Sequence, residues 1–156
     1  MTDRKSATVH YRRMEDPVNA LKGDTLEARI RSALADQFNG GVLSEHWSRR
    51  AWNRAENSDT LLMNIYHDDG VSFFGDLTVY TQGYMQALLR NEQDVAMLPV
   101  EQQPPPAGRE YIHSMMFWMV IGNHVMTIQS RSLSTKHLEQ YLTWLLKERT
   151  AQMRQN

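Results

Sequence analysis

The sequence contains no cysteine. That absence removes disulfides, thiolate nucleophiles and cysteine-based zinc sites together, and it agrees with a reducing compartment. Any metal would have to be held by histidines and carboxylates. No run of about 18 or more apolar residues is present from which a spanning helix could be built, and the stretch Met1–Ser6 is polar and charged rather than signal-like. These features predict a soluble, cytoplasmic protein. Internal repeats are missing, and the one low-complexity tract is Pro104-Pro105-Pro106, a stiff connector read as a surface loop. A formal charge of −1 leaves little excess of either sign, but the charges are unevenly placed. Residues 1–56 hold ten Lys/Arg against eight Asp/Glu, residues 57–110 two against eight, and residues 111–156 five against two. An acidic middle between mildly basic ends can steer a partner or pair within the fold.

What is present is ordinary globular material: 156 residues, 41% hydrophobic and 22% charged, enough for one domain with a full core. The chain is read as a single domain over 1–156, with 1–6 and about 150–156 flexible, or as the N-terminal domain of something longer. Its clearest architectural signal is the alternating run Tyr111–Ile121. Tyr111, His113, Met115, Phe117, Met119 and Ile121 share one face; Ile112, Ser114, Met116, Trp118 and Val120 share the other. Both faces are largely apolar, as expected of a strand covered on each side, or covered by a helix on one side and a partner chain on the other. Gly122-Asn123 supplies a two-residue hairpin turn, and His124–Ser130 the return strand.

Elsewhere, Ala7–Arg13 alternates as a first strand. Leu26, Ile30, Ala33, Leu34 and Phe38 follow at helical spacing behind Asp24 and Glu27, an acidic variant of the capping box, and Asn39-Gly40-Gly41 should end that helix. Thr60–His67 and Val71–Thr81 form a second hairpin around Asp68-Asp69-Gly70, with Gly75 marking a bulge or a close backbone approach. Tyr84, Met85, Leu88 and Leu89 suggest a short helix over Gly83–Arg90, and Val95–Gln102 an edge strand limited by Pro99. A final helix starts near Ser134 or Thr135 and buries Leu138, Tyr141, Leu142 and Leu145. The predicted class is α+β: an antiparallel sheet of about five or six strands built from hairpins, one helix near the start and a long C-terminal amphipathic helix.

Three kinds of function compete. Ten methionines, four of them (Met115, Met116, Met119, Met126) in the final hairpin, form core or an adaptable docking face. With both strand faces apolar, the cheapest way to hide the surplus area is a second chain. The favoured expectation is therefore a non-enzymatic binding module acting through protein contacts, including self-association, with Met116, Trp118 and Trp144 as contact residues. Trp118 is expected to stabilise the fold or an interface. The second reading is nucleic-acid binding by Trp47, Arg49, Arg50, Trp52 and Arg54, because guanidinium groups grip phosphates and indoles stack bases. Glu45 and Glu56 dilute that segment, and a pI near 6.6 is low for a dedicated nucleic-acid binder. Alternatively, the two tryptophans anchor the segment while the arginines pair with the acidic middle.

The third class is an enzyme with a site assembled from scattered residues. No strained serine elbow and no phosphate-cradling glycine loop with its lysine is found. His67-Asp68-Asp69 brings an imidazole beside carboxylates without a recognised ligand spacing, and Asp69-Gly70 is already explained by the turn. His113 is expected to be a buried strand histidine. No catalytic residue, metal ligand or cofactor is assigned, and no membrane partner is expected. The last hairpin with its helix is similar to segments of bacterial phage-defence proteins; no discriminating motif accompanies the likeness.

Overall fold

In the computed structural model, residues 6–55 and 58–153 are described. Strand β1 (Val9–Arg13) leads to helix α1 (Leu26–Ala35), a small β2–β3 hairpin (Gln37–Phe38, Gly41–Val42), a four-residue helix α2 (Trp47–Arg50) and strand β4 (Ala51–Asn53). Strands β5 (Asp59–Leu62), β6 (Tyr66–Asp68) and β7 (Phe73–Thr81) follow. Next come β8 (Gln86–Leu89) and β9 (Val100–Gln103), then β10 (Ile112–Ile121), β11 (His124–Ile128) and helix α3 (Thr135–Thr143). The chain is a mixed α/β protein with few helices. Its main sheet is antiparallel, seven-stranded and ordered β1-β11-β10-β7-β5-β4, with β6 also pairing β7.

The central pair explains why the sheet has two unlike faces. Met116 lies opposite Leu77 and Trp118 opposite Gly75, and Met116, Trp118 and Val120 are buried with Ile30, Leu34, Leu138, Tyr141 and Leu145 in one apolar core. Phe117, between them, and Ile121, just after them, point the other way and stay exposed. Gly75 answers to a close approach: a Cβ there would sit 2.7 Å from Trp118 Cζ2. The Trp118 indole stacks on Phe73 at 5.5 Å between centroids and donates Nε1–H to the Asp76 carbonyl at 3.0 Å.

The expected strand Thr60–His67 is interrupted. Between β5 and β6 the amides of Asn64 and Ile65 leave the ladder and donate to the buried Asp76 carboxylate, each at 2.8 Å, while Thr78 Oγ1 donates to its second oxygen at 3.1 Å. A carboxylate fully removed from water is tolerable because several donors satisfy it.

At the other end of the sheet, Gly122 takes φ +58 in the two-residue β10–β11 turn, opposite the paired Ile121 and His124. Helix α1 docks on that turn. Its N-cap is Thr25, which accepts from Ala28 N–H at 3.2 Å, so the cap is not built by Asp24 and Glu27 as the sequence suggests. Glu27 instead accepts from Gly122 N–H at 2.7 Å and from Arg31 at 2.7 Å, and Leu26 N–H is taken by Asn123 Oδ1 at 2.7 Å.

Other expectations change as well. The predicted helix over Gly83–Arg90 is strand β8, paired with β9 in a separate two-stranded ribbon. The edge strand expected over Val95–Gln102 begins after Pro99, whose missing N–H ends the ladder there. The C-terminal helix is nine α-helical residues, Thr135–Thr143, continued by a π-helical turn over Trp144–Arg149. Its start carries a capping box in which His137 Nδ1 accepts from Ser134 N–H at 3.1 Å. Residues 150–153 are held: Met153 N–H donates to the Leu146 carbonyl at 2.8 Å and Gln152 reaches Asp36 at 3.0 Å. The remainder of the segments read as flexible, 1–5 and 154–156, lies outside the described residues.

Candidate functional site

Alternation along four neighbouring strands builds the most distinctive surface. Registers Tyr11↔Met126, Met126↔Met119 and Met119↔Phe74 carry one row across β1, β11, β10 and β7 on the side away from the helices. Phe117↔Ile128↔Val9 forms a second row beside it. Val9 and Tyr11 are more than half exposed, Phe74, Phe117, Ile121 and Ile128 are each about 40% exposed, and Phe74 stacks on Phe117 at 6.0 Å. Tyr11 and His124 close the end of this face with a 2.7 Å hydrogen bond between the phenol oxygen and Nδ1. Isolated exposed apolar residues are ordinary, whereas a contiguous sheet face of them marks a contact surface.

The expected contact residues Met116, Trp118 and Trp144 do not lie on it. They are 0%, 1% and 6% exposed, because alternation turns Met116 and Trp118 toward the helices and Trp144 stacks on Trp52 at 5.6 Å. The odd-numbered residues of the same strand take the surface instead. That face was legible as apolar in the alternation; which side the helices cover was not.

The Trp/Arg segment forms α2 and β4, and its cations are engaged. Arg50 is 5% exposed, lies 5.4 Å from the Tyr66 ring centroid, and donates to the carbonyls of Leu43, Ser44, Met63 and Asn64. Arg49 donates to the carbonyls of Phe38 and Asn39, and Arg54 pairs with Asp59 at 3.4 Å. Trp52 packs against the core while Trp47 is 55% exposed. The structure thus brings the five residues together along the chain without aligning their guanidinium groups and indoles on one open surface. The arginines turn mainly to carbonyls rather than to the acidic middle.

His67, Asp68 and Asp69 do not assemble a site. Asp68 receives a two-pronged contact from Arg31 at 2.6 and 2.8 Å, and that hydrogen-bonded guanidinium holds the carboxyl down at about 2 while Asp68 raises Arg31 in return. Asp69 accepts from the Val71 and Ser72 amides within the turn, which lowers its pKa. Among the described residues no three His, Asp or Glu side chains are grouped to hold a metal ion. His113, expected to be buried, is exposed beyond the register shift between Ile112 and Ser114, where Nε2 meets Thr81 Oγ1 at 2.9 Å and Tyr84 packs edge-on.

Two grooves flank α3. One, of about 540 Å³, lies between β1 and α3 with Met14, Leu26 and Leu142 along its walls and Arg12, Lys136 and Glu139 among its polar lining. The other, of about 750 Å³, runs past Trp52, Arg54 and Glu148. His67 and Asp68 line neither. Tyr141, wholly buried, has its phenol pKa raised by desolvation and donates to the Arg50 carbonyl at 2.6 Å, which is a structural use. Arg149 is lowered by burial and sits over the rings of Phe38 and Trp144 at 4.1 and 4.7 Å. No described helix is long and apolar enough to cross a membrane. Comparison with protein-family models, curated proteins and solved structures returns no match, so the surface chemistry alone supports a functional reading.

Proposed function

We propose that the protein is a non-enzymatic binding module acting through protein–protein contacts, self-association among them. The reading rests on the helix-free face of the sheet, where Val9, Tyr11, Phe74, Phe117, Ile121 and Ile128 lie exposed on adjoining strands. Covering such a face gains about 25 cal/mol per Å² of apolar area removed from water. The nucleic-acid reading has less behind it, because Arg49, Arg50 and Arg54 already have protein acceptors.

Sedimentation across a dilution series tests the proposal. The expected result is a mass above that of one chain at tens of micromolar, falling to one chain on dilution. Phe117→Lys should move the transition at least tenfold toward the monomer, while folding stability in the monomeric range falls by about 1–2 kcal/mol, because the ring is only 39% exposed and stacks on Phe74, and the chain stays folded. A strict monomer at every concentration would overturn the self-association reading.

A further inference from the structure

Strand β1 is one end of the main sheet and pairs on one side only, with β11. Which of its backbone groups face outward follows from the last turn. Ile121 and His124 close the two-residue β10–β11 turn as a hydrogen-bonded pair, so Val125 and Thr127 aim their backbone groups at β1, where they meet Arg12 and His10. Met14 N–H on the Asn123 carbonyl at 2.8 Å continues the same phase. The N–H and C=O groups of Val9, Tyr11 and Arg13 therefore point away from the sheet. Among the described residues none of these three N–H groups has a protein acceptor, and Arg12 Nη1 covers the Tyr11 carbonyl at 2.9 Å. The opposite edge, β4, is only three residues long.

A groove runs beside this open edge. On the helix side β1 presents His10 and Arg12, in register with Thr127 and Val125, and the groove of about 540 Å³ between β1 and α3 lies over Met14, Leu26, Val125, Leu138 and Leu142. Its charged lining is Arg12, Arg13 and Lys136 against Glu15 and Glu139, and none of the five is in an ion pair among the described residues. We infer that β1 takes up an extended peptide segment of a partner protein, which adds a strand to the sheet edge and lays alternate side chains into the groove. The added strand bonds to the outward groups of Val9, Tyr11 and Arg13, and its side chains fall by turns into the groove and beside the exposed Val9 and Tyr11. The partner's chemistry follows from this geometry. Apolar residues occupy alternate positions, and a carboxylate meets Lys136 and the Arg12 guanidinium once the new strand displaces that group from the Tyr11 carbonyl. The β1 strand of a second copy fits less well, because it brings two further arginines to an edge that already carries two. This rests on the binding-module reading only in naming its partner class; self-association is not required.

Selection from a library of random dodecapeptides against the full chain supplies the probe, and fluorescence anisotropy of the most enriched peptide, labelled, measures its affinity. The expected peptides alternate apolar residues, carry Asp or Glu and lack proline at their centre. Tyr11→Pro removes an N–H that the ladder with β11 does not use, so its thermal transition should stay close to that of the control Tyr11→Val. Peptide binding should nevertheless weaken about tenfold relative to that control, the scale of a lost backbone hydrogen bond. Lys136→Glu should weaken binding several-fold, as should added salt. Equal affinity of Tyr11→Pro and Tyr11→Val for the peptide, or no enrichment above an unrelated protein, overturns the proposal. If no peptide is enriched and self-association is lost in Tyr11→Pro but kept in Tyr11→Val, the edge belongs to a second copy and the proposal fails. Phe117→Lys separates the two readings, because it should leave peptide affinity unchanged. A strict monomer that binds the peptide overturns self-association alone, and an oligomer blind to every peptide overturns strand addition alone.

Discussion

The two faces of the central strand β10 differ by a shift of one residue and by almost everything else. Trp118 is sealed between Phe73, the Gly75 backbone and the helices, with its indole N–H satisfied; Phe117 beside it touches Phe74 and solvent. Both faces have similar hydrophobicity. The inner one is organised by shape, with a glycine opposite a tryptophan, whereas on the outer one Phe117 and Phe74 stack at 6.0 Å and both stay about 40% exposed. Composition therefore tells that a strand is central, whereas complementarity tells which side is already filled.

Truncation should separate the faces most strongly. Trp118→Ala is expected to cost about 3–5 kcal/mol, the range for removing a buried large aromatic, and it also leaves the Asp76 carbonyl without the indole N–H. Chemical denaturation in the monomeric range measures this, and a loss below about 1 kcal/mol would show the inner face to be as loosely packed as the outer. Adding a methyl group is the complementary test. Gly75→Ala places a Cβ 2.7 Å from Trp118 Cζ2, and overpacking of this kind costs about 1–3 kcal/mol. The Trp118 fluorescence environment should change with it; an unchanged midpoint and spectrum would mean that the indole moves aside freely.

The smallest effect concerns how the helical layer is held on the inner face. His137 caps α3 through Nδ1, and burial, with Arg54 and Lys136 nearby, lowers its pKa below the usual 6.5. Folding thus favours the neutral ring. Its contribution is complete above about pH 6.5 and is lost as pH falls through the lower folded value. Stability measured from pH 7.5 down to 5 should decline, and His137→Gln should flatten that decline. Equal slopes for the two proteins would remove His137 as the cause.

Much of the sheet was legible because its signals are local. Alternation over 111–121, the Gly122-Asn123 turn, the Asp68–Gly70 turn and the closeness implied by Gly75 all depend on neighbours along the chain. The features that were not legible depend on distant partners. Tyr84, Met85, Leu88 and Leu89 fit helical spacing, yet the pairing of Leu89 with Val100 across a ten-residue loop decides for a strand. Similarly, Asp76 breaks the expected strand Thr60–His67 by drawing two amides out of the ladder, and nothing near Asn64 announces it. Where the arginines of residues 46–54 find their acceptors was not legible for the same reason, since the carbonyls that hold Arg50 come from residues 43–44 and 63–64. The outer apolar face was readable as a property of the strands, but its exposure followed only from where the helices pack.

The clasp between α1 and the last hairpin sets an order of events during synthesis. Leu26 N–H finds its acceptor on Asn123, 97 residues later in the chain. At roughly 5–20 residues per second, that acceptor emerges about 5–20 s after the helix itself. For this interval the Leu26 and Glu27 amides lack the acceptors that Asn123 and Gly122 provide in the fold. A helix of ten residues is too short to persist alone in water, so α1 is fixed only once the final turn closes on it.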